Sequence, residues 1–168
     1  MSNFNIVDNF LPEEDFKIIQ AVVMSAEFPW YYNNKIIAEE MSGKYQFTHS
    51  VYRENNSIQS NFFELFRPII KVLDPKMLIR MKINMGGKTE DHEKGGWHID
   101  QEIQGSRTAV LYFNNNNGYT LFEDGTKVES LENRFASFDN TTRHTGVSQT
   151  DTQVRCVLNI NYIPYEYL

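Results

Sequence analysis

Two residues in "GGWHID" at 95–100, His98 and Asp100, could do metal chemistry. If 96–101 is a strand, its side chains alternate between two faces. His98 and Asp100 then share one face, and Trp97 and Ile99 share the other. An imidazole and a carboxylate converging from one strand supply two of the three ligands of a 2-His-1-carboxylate facial triad. That triad leaves one face of the metal open, which suits a non-haem Fe(II) centre. The mixed nitrogen and oxygen set is poorly matched to Ca²⁺ or Mg²⁺, which prefer all-oxygen shells. Taken alone, His-x-Asp is a weak signal, and a solvated strand edge carrying two polar residues also accounts for it. The candidates for a third ligand are His49 in "QFTHSVY", His92 in the polar "KTEDHEKGG" and His144 in "TTRHTGVS". Of these, His144 sits between two strand-like runs late in the chain, where a returning strand could lie beside His98.

Downstream, "TQVRCVLNINY" also alternates. Arg155, Val157, Asn159 and Asn161 fall on one face; Val154, Cys156, Leu158, Ile160 and Tyr162 fall on the other, the better packing face. An inward Arg is costly unless paired. A carboxylate-bearing ligand in a barrel mouth would pair it bidentately. The competing reading is an exposed Arg with its stem lying over apolar neighbours. Cys156 is the one cysteine. In so apolar a run it reads as an inert small hydrophobe, since a reactive thiol needs a base and partial exposure.

The elements that must position these residues follow from the rest of the chain. Its 168 residues suit one domain with a core that needs no disulfide. The net charge of −6 and the lack of a basic run weigh against nucleic acid as a partner. "MSNFNIVDNFLPEEDF" has no basic segment followed by an apolar one, and no apolar stretch approaches membrane-spanning length. The expectation is a soluble protein of the cytoplasm, or of the host cytoplasm if phage-encoded, with no membrane partner.

"FNIVDNFL" reads as a short strand and "LPEEDFKIIQAVVMSA" as a helix. Pro12 suits its first turn, the acids at 13–15 suit the positive end of the dipole, and Phe16, Ile19 and Val23 form a core stripe. "SIQSNFFELFRPIIKVL" reads as a second helix with Ile58, Phe62, Leu65, Phe66 and Ile69 on one face, split or kinked at Pro68. From about residue 76, short runs rich in Val, Ile, Phe, Tyr and Thr follow one another, punctuated by Gly, Asn and Asp. Helices packed against the outside of a two-sheet jelly roll satisfy this order. "NMGGKTEDHEKGG" at 84–96 reads as a long polar loop that could serve as a substrate lid, or as a solvated connection. Tyr119 and Phe122 read as core or pocket wall.

His98-x-Asp100, His144 and Arg155, in that order, resemble the Fe(II)/2-oxoglutarate-dependent dioxygenase superfamily, and more narrowly its prolyl-4-hydroxylase-like branch, including small phage-encoded oxygenases. "IRMKINM", "TAVLYFNNNNGYTLFEDGTKVES", "ENRFASFDNTTRHTGVS" and "RCVLNINY" extend the likeness over about 76–163. The resemblance implies a mainly β fold with supporting N-terminal α-helices, a double-stranded β-helix or jelly roll. It implies a single domain over 1–168, with helical support in about 1–75 and the β-helix core in about 76–163. It implies Fe(II) held by His98, Asp100 and His144, and 2-oxoglutarate chelating the metal with its distal carboxylate on Arg155. Tyr112 matches a position whose phenol reaches the co-substrate in that branch. Asn84 stands where a related enzyme places a Tyr, with a shorter reach. Asn159 faces the same way as Arg155 and could touch a ligand, or bond to a neighbouring strand.

The activity implied is hydroxylation of a substrate with O2 as 2-oxoglutarate is decarboxylated to succinate. By analogy the substrate is a peptide or protein side chain, proline among them. Three other readings compete: an oxygenase of a small molecule or nucleobase, a non-catalytic jelly-roll binding module, and a zinc hydrolase on the same ligands. Arg155 favours 2-oxoglutarate over the last. A serine hydrolase is excluded by the lack of a Gly-x-Ser-x-Gly elbow. Oligomeric state is not legible in the sequence.

Overall fold

The structure, a computed structural model, describes residues 4–34, 45–53 and 57–165. In chain order the elements are β1 (Asn5–Val7), α1 (Glu13–Val23), β2 (Tyr31–Asn33), β3 (Gln46–Arg53), β4 (Ser57–Ile58), a 3₁₀ turn (Phe63–Phe66), α2 (Arg67–Leu73) and β5 (Met77–Gly87). Then come β6 (Arg107–Tyr112), β7 (Tyr119–Phe122), β8 (Lys127–Glu129), β9 (Phe135–Asp139), β10 (His144–Val147) and β11 (Val154–Ile163). The strands form two antiparallel sheets. The major sheet has the order β1-β9-β6-β11-β5-β3-β2, with β4 on β3; the minor sheet has the order β10-β7-β8. This is the two-sheet jelly roll expected from the run of short strands, and the first 75 residues add strands as well as helices to it.

The two faces of the major sheet have different work. Outward, Met81, Ile83, Leu111, Cys156, Leu158 and Ile160 pack with Phe16, Ile19 and Val23 of α1 and Phe66 and Ile69 of the second helical segment. All of these are buried, as the periodicity of α1 and the alternation of β11 require. Inward, Val110, Tyr112, Phe122, Ala136, Phe138 and Val157 form a second apolar cluster between the sheets. Members of this cluster border the polar cavity, Val110 and Val157 in its lining and Phe138 against His144.

Three expectations need correction. Residues 57–58 are not helical: β4 pairs with β3, Tyr52 opposite Ile58, and Ile58 is exposed. Helix begins as the 3₁₀ turn and becomes α at Arg67, so Pro68 sits in a first turn, where its missing N–H costs nothing. Pro12 is the N-cap of α1 rather than a residue of its first turn. Residues 96–101 are not a regular strand, because only Lys94 and His98 bridge to Val147 and His144. The chain touches β10 at those points and otherwise runs free of a ladder.

Candidate active site

The bridge to β10 assembles the candidate metal-binding group. The backbones of His98 and His144 exchange two hydrogen bonds, of 3.1 and 3.0 Å, which fixes the rings side by side with centroids 4.5 Å apart. Two residues on, Asp100 comes round on the same side. One ligand atom from each of His98, Asp100 and His144 lies within 4.8 Å of the others. His98 Nδ1 lies 3.0 Å from the Gly96 carbonyl, and His144 Nδ1 lies 3.1 Å from the Thr142 carbonyl. A ring that donates from Nδ1 to a carbonyl carries its free lone pair on Nε2. Both rings are therefore set to offer Nε2, and His98 Nε2 is 3.7 Å from Asp100 Oδ1. Burial, against the pull of Asp100, pushes the His144 pKa down and favours the neutral, ligating form. Phe138 meets the His144 ring edge-on at 4.7 Å and holds it from behind.

The Asp100 carboxylate is 6 % exposed and held by side chains of the major sheet. Arg80 Nη2 lies 3.3 Å from Oδ1, and Asn161 Nδ2 donates to Oδ2 at 3.3 Å and to Thr108 Oγ1 at 3.0 Å. Burial would raise the Asp100 pKa, but Arg80, the two imidazoles and the Asn161 bond outweigh it and keep the carboxyl below its usual range. The acid is thus ionised and oriented, as a metal ligand must be.

Arg155 occupies the opposite end of the inner face. It sits across from Gly86 on β5, buried enough that desolvation pulls its pKa down. Its Nε donates to the buried Ser130 Oγ at 2.9 Å and its Nη2 to Thr120 Oγ1 at 3.3 Å. Tyr112 lies beneath it, ring centroid 5.6 Å from the guanidinium carbon, with its hydroxyl bonded to Thr120 Oγ1 at 2.7 Å. Among the described residues no carboxylate comes within 4.0 Å of Arg155. Gly118 lets the Arg stem pass: a Cβ there would stand 2.9 Å from Arg155 Cδ. Among the described residues the neighbours of the Arg155 guanidinium are hydroxyls and an aromatic ring, and a buried cation in such surroundings is costly unless paired.

The triad and Arg155 share one cavity of about 300 Å³, also lined by Arg80, Lys82, Asn84 and Asn159. It opens into a second, of about 320 Å³, between the loop after β5 and β10. That loop is tied down by Glu93 N donating to Ser148 Oγ at 2.7 Å and by Thr89 Oγ1 sharing a 2.6 Å bond with Ser148 Oγ. Asn84 reaches both cavities, and its buried Oδ1 has no hydrogen-bond partner. These features fit a chelating diacid on a metal: three candidate ligands at one end and a buried cation at the other.

Of the residues named from sequence, the structure gathers His98, Asp100, His144, Arg155, Asn84 and Asn159 around this cavity, with Tyr112 under Arg155. His49 and His92 are elsewhere. His49 is buried on the outer side with Phe28 and Phe62, bonded to Pro29 O and Ser60 Oγ. His92 is exposed, its Nδ1 2.7 Å from Ser148 O. Phe122 is core, whereas Tyr119 is half-buried beside His92 and Lys127. Asn159 lines the cavity, but Asn161 is the Asn that touches Asp100. Arg80, Lys82, Thr120 and Ser130 escaped the sequence reading altogether. The alternation of "IRMKINM" was the available signal for the first two: it puts Arg80, Lys82 and Asn84 on one face.

No family model matches the sequence, and no curated protein matches it. Solved structures do match. A prolyl hydroxylase from Trichoplax adhaerens, in complex with a hypoxia inducible factor oxygen degradation domain peptide, superposes with a TM-score of 0.68 at 12 % identity, over 95 % of this chain and 83 % of that one. A Pseudomonas putida prolyl-4-hydroxylase gives a TM-score of 0.62 at 14 % identity, over 98 % and 94 %. The non-heme alpha ketoglutarate dependent epimerase SnoN from nogalamycin biosynthesis gives 0.66 at 12 % identity, over 97 % and 79 %. The chain therefore has the double-stranded β-helix fold of the 2-oxoglutarate/Fe(II) oxygenases and prolyl hydroxylases. Among the described residues no helix is long and apolar enough to cross a membrane.

Proposed function

We propose that this chain is an Fe(II)- and 2-oxoglutarate-dependent dioxygenase that hydroxylates its substrate. The observation that carries the reading is Arg155, a buried cation with no counter-ion among the described residues, in the same cavity as the His98–Asp100–His144 group. A zinc hydrolase or a binding module has no use for that combination. When bound, Fe(II) with 2-oxoglutarate and O2 would supply the oxidising power for hydroxylation, with succinate and CO2 as co-products.

The protein's part is to bind and orient. His98, Asp100 and His144 would hold the metal. Arg155 would pair the distal carboxylate of 2-oxoglutarate, and Ser130 and Thr120 fix its guanidinium. Tyr112 acts through Thr120 and by the contact of its ring with Arg155. Asn84 and Asn159 flank the path between metal and Arg155, where their amides can donate to co-substrate oxygens. No side chain need act as a general base. The substrate we infer is a peptidyl side chain, proline among the candidates, because hydroxylases of peptides have this architecture. The SnoN likeness keeps a small molecule as the second reading.

The test is turnover of 2-oxoglutarate to succinate, followed by proton NMR in the presence of Fe(II) and O2, without added substrate and then with peptide pools. Succinate that requires Fe(II) and is lost in His98→Ala supports the proposal. A folded protein that neither binds nor consumes 2-oxoglutarate overturns it.

A further inference from the structure

The cavity holds more positive charge than the metal group and Arg155 use. On β5, the residues facing inward are Arg80, Lys82, Asn84 and Gly86, opposite Asn161, Asn159, Val157 and Arg155 of β11. From Gly86 to Arg80 the strand rises roughly 20 Å at its usual 3.3–3.4 Å per residue. Arg155 therefore marks one end of this face, and Arg80 with Lys82 marks the other.

The fold accounts for Arg80 in part and for Lys82 not at all among the described residues. Arg80 reaches Asp100 through Nη2, but its buried Nε has no hydrogen-bond partner. Lys82 makes no hydrogen bond or ion pair among the described residues, although it is largely buried and lines the cavity. Burial and the neighbouring Arg80 push its pKa down, with Arg53 adding a further positive charge nearby. Asp100 is the carboxylate that faces both. With Asp100 and the near carboxylate of 2-oxoglutarate offsetting a divalent metal, and the far carboxylate on Arg155, no further carboxylate among the described residues balances the charges of Arg80 and Lys82. Orienting Asp100 explains Arg80 alone. A pocket for a neutral ring would gain nothing from a second buried cation.

We propose that Arg80 and Lys82 form a second anion subsite, across the metal group from Arg155, that takes an acidic group of the substrate, a carboxylate or a phosphate. The inference rests on the oxygenase reading and narrows its substrate class. The group oxidised would lie a short distance from that acid, since Asp100 is in contact with Arg80.

The test uses the protein loaded with Mn(II), which accepts the same ligands without turnover, and saturated with 2-oxoglutarate. Two acid and neutral pairs are titrated: N-acetyl-L-proline against its amide, and methyl phosphate against trimethyl phosphate. Paramagnetic broadening of the probe's proton lines reports binding near the metal. We expect saturable broadening by an acid, at least tenfold weaker binding of its neutral partner, and at least tenfold loss in Lys82→Met and in Arg80→Met. The acid that binds more tightly distinguishes carboxylate from phosphate. Lys82→Met leaves the Asp100 contacts intact, so it stands if Arg80→Met fails to fold. Equal binding of acid and neutral partners, binding of neither acid, or an unchanged Lys82→Met overturns the subsite. The fall in water-proton relaxation on adding 2-oxoglutarate is read in the same samples. If that fall is absent the oxygenase reading fails, and the acid preference is then decided on the Mn(II) protein alone.

Discussion

Replacing Arg155 by Met should separate the cost of folding from the gain in binding. Met is unbranched and adaptable enough to fill the path past Gly118. In the ligand-free protein the change removes the hydrogen bonds to Ser130 and Thr120, each worth about 1.5–3 kcal/mol to a charged donor. It also removes a buried cation whose desolvation costs several kcal/mol. The two nearly cancel, so the apo variant should be within about 2 kcal/mol of wild type. Binding behaves otherwise. Loss of a buried charge pair with the co-substrate costs about 2–5 kcal/mol, or about 30- to 4000-fold in Kd. With metal present, 2-oxoglutarate at a hundred times its Kd stabilises wild type by about 2.7 kcal/mol. For a chain of 168 residues that is a rise in Tm of roughly 5–11 °C. At the same concentration Arg155→Met should gain at most about 0.9 kcal/mol, roughly 2–3 °C. Thermal melts of both proteins, with and without co-substrate, are sufficient. A variant that keeps the full shift, or an apo variant that melts as if a core residue had been deleted, would refute the reasoning.

Other outcomes follow from the same geometry. In Gly118→Ala the new Cβ would meet Arg155 Cδ, Asn116 Oδ1 and the Val147 carbonyl, each at 2.9 Å. Calorimetry should show weaker 2-oxoglutarate binding with the charge intact, alongside a stability loss of about 1–3 kcal/mol. Asn161→Leu removes a donor to Asp100 and should weaken metal binding about 10- to 100-fold in competition with a chelating dye. The change also takes a donor from Thr108 and leaves two buried oxygens short of a partner, so the variant should lose about 1–3 kcal/mol, read as a fall in Tm. Asp8 is held below its usual pKa by its hydrogen bond from Arg134, and Glu132 by those from Gln20 and Lys17. Depressed carboxylates contribute stability above their unfolded pKa and lose it as pH falls through the folded one, so Tm should decline from about pH 5 downward. Asp8→Asn with Glu132→Gln should flatten that decline slightly, since both groups are well exposed.

How much of this was legible in the sequence depended on what kind of information each feature needed. The two faces of β11 follow from alternation, and its apolar set, Cys156, Leu158, Ile160 and Tyr162, does lie against the helices. His98 and Asp100 share a side even though no regular strand carries them, because extended backbone alternates with or without a ladder. Alternation does not say which inward residue touches which ligand. Asn161 rather than Asn159 reaches Asp100 because it pairs across the sheet with Thr108 and Arg80, a register set by tertiary pairing. Arg80 and Lys82 went unnoticed because each sits between apolar neighbours in a run that reads as core. Ile58 fitted a helical stripe by coincidence of spacing. Pairing with Tyr52, six residues earlier, took it into β4, and the apolar spacing does not announce that pairing.

The most direct measurement is an anaerobic titration of the metal-free protein with Fe(II) and then 2-oxoglutarate, followed by visible absorption, with His98→Ala in parallel. The account predicts a weak charge-transfer band that needs both additions and is missing in the variant. A folded wild-type protein that gives no band, or a His98→Ala protein that gives the same one, would contradict it.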